Sequence, residues 1–225
     1  MKHANDAAYL QVDFINYWHV GSGRGNGYQV DAVCARDADG LPVLPGRQLK
    51  GLLRHAVRRA ETWGWMDGLA LPAGPLTRHE HLLFGSSSQE EDRFSTEPGA
   101  LQVDCARLPD NERAWLAQAD ETDLRSELFG ELFSTAIDEL GSARRFSLRG
   151  LEVSIPVQLR AILTLEVCAV QSELRAQQRA FIDSGNGWTA LERALPLLDA
   201  VGADRSRGLG EAKATLVRAA NGDRA

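Results

Sequence analysis

Apolar and polar positions along the chain follow two different periods, and the changes from one to the other mark its elements. Tyr9–Phe14 alternates in the manner of a half-buried strand, and Ile15, Tyr17, Trp18 and Val20 prolong the apolar run. Tyr28–Arg36 resumes an extended pattern after a glycine-rich break, and Leu41–Pro45 is an extended connector because each proline biases its predecessor toward β or polyproline geometry. The period then lengthens. Leu49, Leu52, Leu53, Ala56, Val57 and Ala60 recur at three-and-four spacing and predict a helix over Gly46–Trp63 with one apolar stripe. His79–Phe84 reads as a helical turn ended by Gly85, and Ala100–Leu108 alternates again as a strand. Asp110 is placed to cap a short helix reaching Ala119. Ile155–Val170 is the longest apolar, β-branched run and predicts a central strand. Thr189–Ala200 is helical in pattern until Pro196 ends or kinks it, and Ala212–Val217 is a final strand.

Between these elements lie GSGRGNG (Gly21–Gly27), the turn DADG (Asp37–Gly40), a Pro/Gly-rich loop at Asp67–Arg78, a polar surface loop at Ser86–Pro98, and a second glycine-bearing loop, Gly202–Gly210. Thr122–Gly150 fits neither period: it is rich in charge and weakly periodic. The order β, helix, β, long insertion, β, helix, β predicts an α+β fold. It is the split βαβ arrangement of a ferredoxin-like or RRM-type domain, an antiparallel sheet with helices on one face. One domain over residues 1–225 suits the length.

Composition narrows the function classes. With 44% hydrophobic and 25% charged residues, the chain has the make-up of a soluble globular protein. The longest apolar stretch, Ala161–Val170, is interrupted by Thr164 and Glu166, so no membrane span is expected. The first residues lack the apolar core of a signal peptide. Cys34, Cys105 and Cys168 lie far apart, which reads as reduced thiols in a cytoplasmic protein. A net charge of −6 argues against indiscriminate coating of nucleic acid, though a local basic stripe can still bind phosphates.

Two such stripes are present. Arg47, Lys50, Arg54 and Arg58 fall on one side of the predicted helix, opposite its leucines, as a solvated face or a ridge that tracks phosphates. GADRSRGLG places Arg205 and Arg207 between glycines, where backbone amides and guanidinium groups can meet phosphate together. The four glycines of Gly21–Gly27 would let the backbone approach a ligand closely, and Asp31 follows as a lone carboxylate.

Several of these strings carry a resemblance. DADGLPVLPGRQLKGLLRHAV is similar to the signature of the RAMP superfamily, and RSRGLGEAKATL to its C-terminal arginine- and glycine-rich loop. Leu83–Gly85 and Ala100–Leu108 resemble segments between the two, in the expected order over nearly the whole chain. Within the superfamily the chain most resembles the backbone subunit of type III CRISPR effector complexes. In that subunit a Gly-x-x-Asp-like segment, here Gly27–Asp31, lies six residues before a second aspartate, here Asp37. Thr135–Glu152 resembles the family's thumb, which marks residues 122–152 as a protruding insertion that touches RNA; the usual Ile-Asp-Arg reads Ile137-Asp138-Glu139.

The resemblance implies an RNA-binding subunit that holds guide RNA and target single-stranded RNA beside copies of itself and other effector subunits. It implies an endoribonuclease in which Asp31 supports cleavage with Mg²⁺ or another divalent cation, bound transiently. The RNA-binding residues it implies are Arg47, Lys50, Arg54 and Arg58 on the helix, Arg144, Arg145 and Arg149 in the thumb, and Arg205, Arg207, Gly208 and Gly210 in the last loop. A non-catalytic backbone or end-cap subunit is the alternative, and a guide-processing endonuclease assisted by His19 or His55 a further one. Zinc at His79 and His81 is not expected, because no cysteine lies near enough in sequence to complete a tetrahedral set.

Overall fold

The computed structural model describes residues 6–26, 30–86, 96–118 and 122–218. Gly27, Tyr28 and Gln29, and most of the polar loop 86–98, lie outside the described residues. Strand β1 (Asp6–Phe14) is central in a four-stranded sheet. It pairs on one side with β5 (Gln158–Leu165) and on the other with β6 (Ala212–Arg218), while β2 (Leu101–Val103) adds to the far edge of β5. Every pair is antiparallel and the order is β2-β5-β1-β6, the topology of a ferredoxin-like domain.

Alternation decides which face is covered. Ala8, Leu10, Val12 and Phe14 of β1 and Leu159, Ala161, Leu163 and Leu165 of β5 are all buried against the helices. On the other face Tyr9, Ile162 and Val217 stay about half exposed. Helix α1 (Gly46–Thr62) buries Leu49, Leu53, Ala56, Val57 and Ala60 of the stripe predicted from spacing, while Leu52 is half-buried at its edge. Each buried leucine contributes roughly 1.5–3 kcal/mol through removal of apolar area from water. Helix α2 (His79–Phe84) ends at Gly85, whose φ of 94° suits glycine. Helix α3 (Asp110–Gln118) and the short α4 (Thr122–Ser126) lead out of the sheet.

Three differences from the periodic reading have local causes. The chain leaves the sheet after Phe14, because Trp18 exchanges both backbone bonds with Ser154 instead of continuing β1. The run Ile155–Val170 yields a strand only over Gln158–Leu165; beyond it, the amides of Cys168 and Ala169 both donate to Gln178 Oε1 at 3.0 Å. A twelve-residue helix, α5 (Ser172–Asp183), precedes α6 (Asn186–Ala194), and Pro196 sits in a 3₁₀ turn (Leu195–Leu197) where α6 stops.

The aperiodic stretch resolves into a second, two-stranded sheet. Strands β3 (Phe129–Ser134) and β4 (Arg149–Ser154) pair from Phe129↔Ser154 to Ser134↔Arg149. From Glu131 to Arg149 every side chain except that of Ser147 is exposed. No buried face exists there to impose a period, so the sequence shows none.

Candidate functional site

The run 30–36 is fastened on both edges. On one side it forms an antiparallel ladder with the glycine-rich arm, through Ser22 N–Val33 O (3.0 Å), Val33 N–Arg24 O (3.0 Å) and Ala35 N–Val20 O (2.7 Å). Gly25 permits that approach, since a Cβ there would lie 2.8 Å from Asp31 O. On the other side the run is parallel to β4, with Asp31 N donating to Gly150 O at 2.9 Å and Glu152 N to Ala32 O at 3.0 Å. Asp31 therefore stands at the root of the β3–β4 hairpin. Its carboxylate is exposed; Oδ2 accepts the Gly150 amide at 2.8 Å, and Oδ1 has no partner among the described residues.

Below Asp31 the junction is polar and closed. Glu152, its side chain 15% exposed, accepts the Cys34 amide at 2.7 Å on Oε2 and the Arg36 guanidinium at 2.7 Å on Oε1. Its carbonyl accepts His19 Nδ1 at 2.6 Å, which fixes that nitrogen as the protonated one, and also the Cys34 thiol at 3.3 Å. Burial, reinforced by the neighbouring Glu152 charge, pushes the Cys34 thiol up to about 12, so it stays protonated and inert as a nucleophile. The Arg36 guanidinium also lies 3.6 Å from the centre of the Phe129 ring.

The C-terminal glycine loop packs against the same corner. Ala203 N donates to His19 O (2.8 Å), Gly210 N to Tyr17 O (2.8 Å), and Asn16 Nδ2 to Gly208 O (3.0 Å). Gly210 has φ +74°, and a Cβ there would overlap Val201 O, so the turn requires glycine. Arg205 and Arg207 project into solvent, Arg207 pairing with Asp204 at 2.9 Å. Beside the junction runs an open groove of about 460 Å³, with Ser22, Arg36, Pro45, Cys105 and Arg107 in its walls.

The hairpin rises from this corner. Arg144, Arg145 and Arg149 are exposed and form no ion pair among the described residues. Leu140, Phe146 and Leu148 present apolar surface, Phe146 being fully exposed at a left-handed φ of 59°. Asp138 Oδ1 accepts the amides of Leu140 (3.0 Å) and Ser142 (2.9 Å), and Ser147 Oγ meets Thr135 Oγ1 at 2.7 Å. These local bonds shape the tip without a core beneath it.

The basic face of α1 is employed differently from a phosphate ridge. Lys50 Nζ donates to Leu101 O at 2.7 Å, and burial lowers its pKa. Arg54 and Arg58 converge on the fully buried Glu80, at 2.7 and 2.6 Å, with Arg78 at 3.4 Å. Burial alone would raise the Glu80 carboxyl, but hydrogen bonds from Arg58 and Arg54 outweigh it and hold it down at about 2. Of the four basic residues only Arg47 is exposed without an ion pair among the described residues. His79 is buried with Nδ1 3.2 Å from Glu61, whereas His55 is exposed on α1. Among the described residues no three His, Cys, Asp or Glu side chains are grouped to hold a metal ion, and no helix is long and apolar enough to cross a membrane.

A model of the RAMP superfamily matches residues 11–213. The chain belongs to the RAMP superfamily. Solved structures share the RAMP protein's fold. A chain in a cryo-EM structure of the type III-B Cmr-beta bound to cognate target RNA superposes with a TM-score of 0.59 at 11% identity, covering 93% of this chain and 96% of that one. A chain in the apo state of Cmr-beta gives 0.56 at 12% identity, covering 94% and 97%. No curated protein matches the sequence. The family match covers the DADG turn and α1, whose Lys50 and Arg54 brace the fold. Asp31, Gly150 and Glu152 meet only through pairing across more than a hundred residues. No motif marks Arg36: its partner Glu152 ends the insertion, but Arg36 itself lies 116 residues earlier in the chain.

Proposed function

We propose that this RAMP protein is an RNA-binding backbone subunit of a type III-like CRISPR effector complex, and that it cleaves complementary target RNA with metal assistance at Asp31. The observation that carries the reading is the placement of Asp31: an exposed carboxylate tied by Gly150 to the root of a projecting hairpin with arginines and apolar residues along it. The resemblance to chains of Cmr-beta, one of them in a complex bound to cognate target RNA, supports an effector-complex setting; the proposed partners there are guide RNA, target RNA, other effector subunits and copies of this chain.

The chemistry asked of the protein is modest. RNA carries its own nucleophile, the 2′-hydroxyl, so cleavage needs a strand held with that oxygen in line with the scissile phosphorus. The hairpin's apolar side chains would displace a base and bend the strand, while Arg144, Arg145 and Arg149, with Arg47, Arg205 and Arg207, would hold phosphates around the junction. One free carboxylate oxygen does not make a resident metal site. It does fit a hydrated magnesium ion shared with an RNA phosphate, and Asp31 Oδ1 is the atom that would hold it. Such an ion, when bound, offsets negative charge developing on the phosphorus oxygens. Fixed by the Gly150 amide, Asp31 spends no reorganisation in taking up that role.

The test is an Asp31→Asn variant in the assembled complex, with every other nuclease centre inactivated. Magnesium-dependent cutting of complementary RNA is expected to vanish while guide content and target affinity stay within about twofold of the unaltered complex. Cleavage at the unaltered rate would leave a non-catalytic backbone subunit as the reading.

A further inference from the structure

Arg36 occupies an unusual place in the junction. It leaves the extended run five residues after Asp31, and its guanidinium touches both strands of the hairpin at their roots. One contact is the 2.7 Å ion pair with Glu152 of β4, and the other is the face of Phe129, the first residue of β3, at 3.6 Å. Glu152 continues the connection into the run itself, because its second oxygen accepts the Cys34 amide at 2.7 Å. Phe129 and Glu152 are not directly paired: the ladder sets Phe129 opposite Ser154 and Glu152 opposite Glu131. Arg36 therefore spans the two strands diagonally and anchors them to the strand that bears Asp31.

We propose that Arg36 is a positioning residue for Asp31, acting through Glu152 and Phe129 to make the hairpin and the Asp31 run one rigid unit. The inference rests on the proposed cleavage reading for its kinetic consequence, but not for its mechanical one. Without the clamp, the run is held to the hairpin by three backbone and side-chain bonds at residues 31 and 32 and by the Cys34 amide and thiol on Glu152, with nothing left to tie Glu152 to Phe129. Glu152, with its side chain only 15% exposed, keeps its charge and loses its cationic partner, so the root of β4 is loosened. A strand displaced by the hairpin and a carboxylate set by the arm would then no longer keep a fixed spacing. The expected result is weaker use of magnesium and a scattered cleavage position, with RNA binding unaffected, since the phosphate-facing arginines lie elsewhere.

Arg36→Ala, Arg36→Lys and Phe129→Leu are each assembled into the complex with guide RNA, beside Asp31→Asn. Arg36→Ala should raise the magnesium concentration for half-maximal cleavage about tenfold, the scale of one lost charge-assisted hydrogen bond, and spread the cut over neighbouring nucleotides. Arg36→Lys should recover part of the magnesium response by restoring the ion pair, and Phe129→Leu should scatter the cut through loss of the stacked face. In the isolated chain, amide hydrogen exchange at Asp31 and Gly150 should quicken about tenfold in Arg36→Ala. Unchanged exchange at those two amides, or an unchanged magnesium response and cut position while Asp31→Asn is inactive, would overturn the clamp alone. Cleavage by Asp31→Asn would instead overturn the catalytic reading, and the exchange measurement would still decide the clamp.

Discussion

Glu80 offers the sharpest energetic test of the fold, because its buried carboxylate is shared by three arginines. Glu80→Gln keeps the shape and one acceptor oxygen but removes the charge and turns an amide N–H₂ toward the guanidinium groups. The depression of the Glu80 carboxyl from 4.5 to about 2 corresponds to about 3 kcal/mol of charge-dependent stability. Arg54, Arg58 and Arg78 are 28%, 49% and 40% exposed, so they can turn to water when the acid is lost. That relief sets the expected cost at about 2–3 kcal/mol, the low end for a broken buried pair. For a chain of this length the melting temperature should fall by about 5–10 °C. Because the folded carboxyl lies below its unfolded range, the stabilisation is complete above about pH 5 and is lost as pH falls toward 2. Urea unfolding at pH 7 and pH 3 measures both features, and the gap between wild type and Glu80→Gln should narrow at the lower pH. A cost below about 0.5 kcal/mol at pH 7, or a gap of equal size at both pH values, would refute the reasoning.

The two basic surfaces should separate in a salt titration of RNA binding. Arg144→Ala with Arg145→Ala should weaken binding and reduce the slope of log K against log salt by about 1.4, whereas Lys50→Ala with Arg54→Ala should lower the melting temperature and leave the slope unchanged. At pH 8 a maleimide should modify the half-buried Cys105 and Cys168 but not Cys34 until the chain is unfolded, which mass spectrometry of the labelled peptides would read.

How far the sequence could be read depends on whether an element has a covered side made of apolar residues. Helix α1 has one, and spacing alone predicted its buried positions. Helix α5 was missed because two of the four residues it buries are Gln177 and Gln178. Their amides serve loops rather than the core: Gln177 bonds Pro72 O and Leu76, and Gln178 bonds Pro98 O and the amides after β5. The same bonds end the strand predicted to run to Val170. Motif order pointed to Asp31, but the site around it depends on pairing between residues 30–36 and 150–152, and no local pattern encodes which two distant strands will meet. The charged stripe on α1 shows the converse. Its spacing was correct, yet the carboxylate that occupies Arg54 and Arg58 comes from α2, more than twenty residues onward.

The hairpin's exposure has an evolutionary consequence. Residues 131–149 owe nothing to the core, and the bends at Asp138 and Ser147 are stitched from within. Its fixed points are the socket: Phe129, Gly150, Glu152 and the arginine between them. A tip of another length or composition could be grafted between Ser134 and Arg149 while the socket stays whole. Mutation can therefore retune what the protein grips without asking the domain beneath to refold.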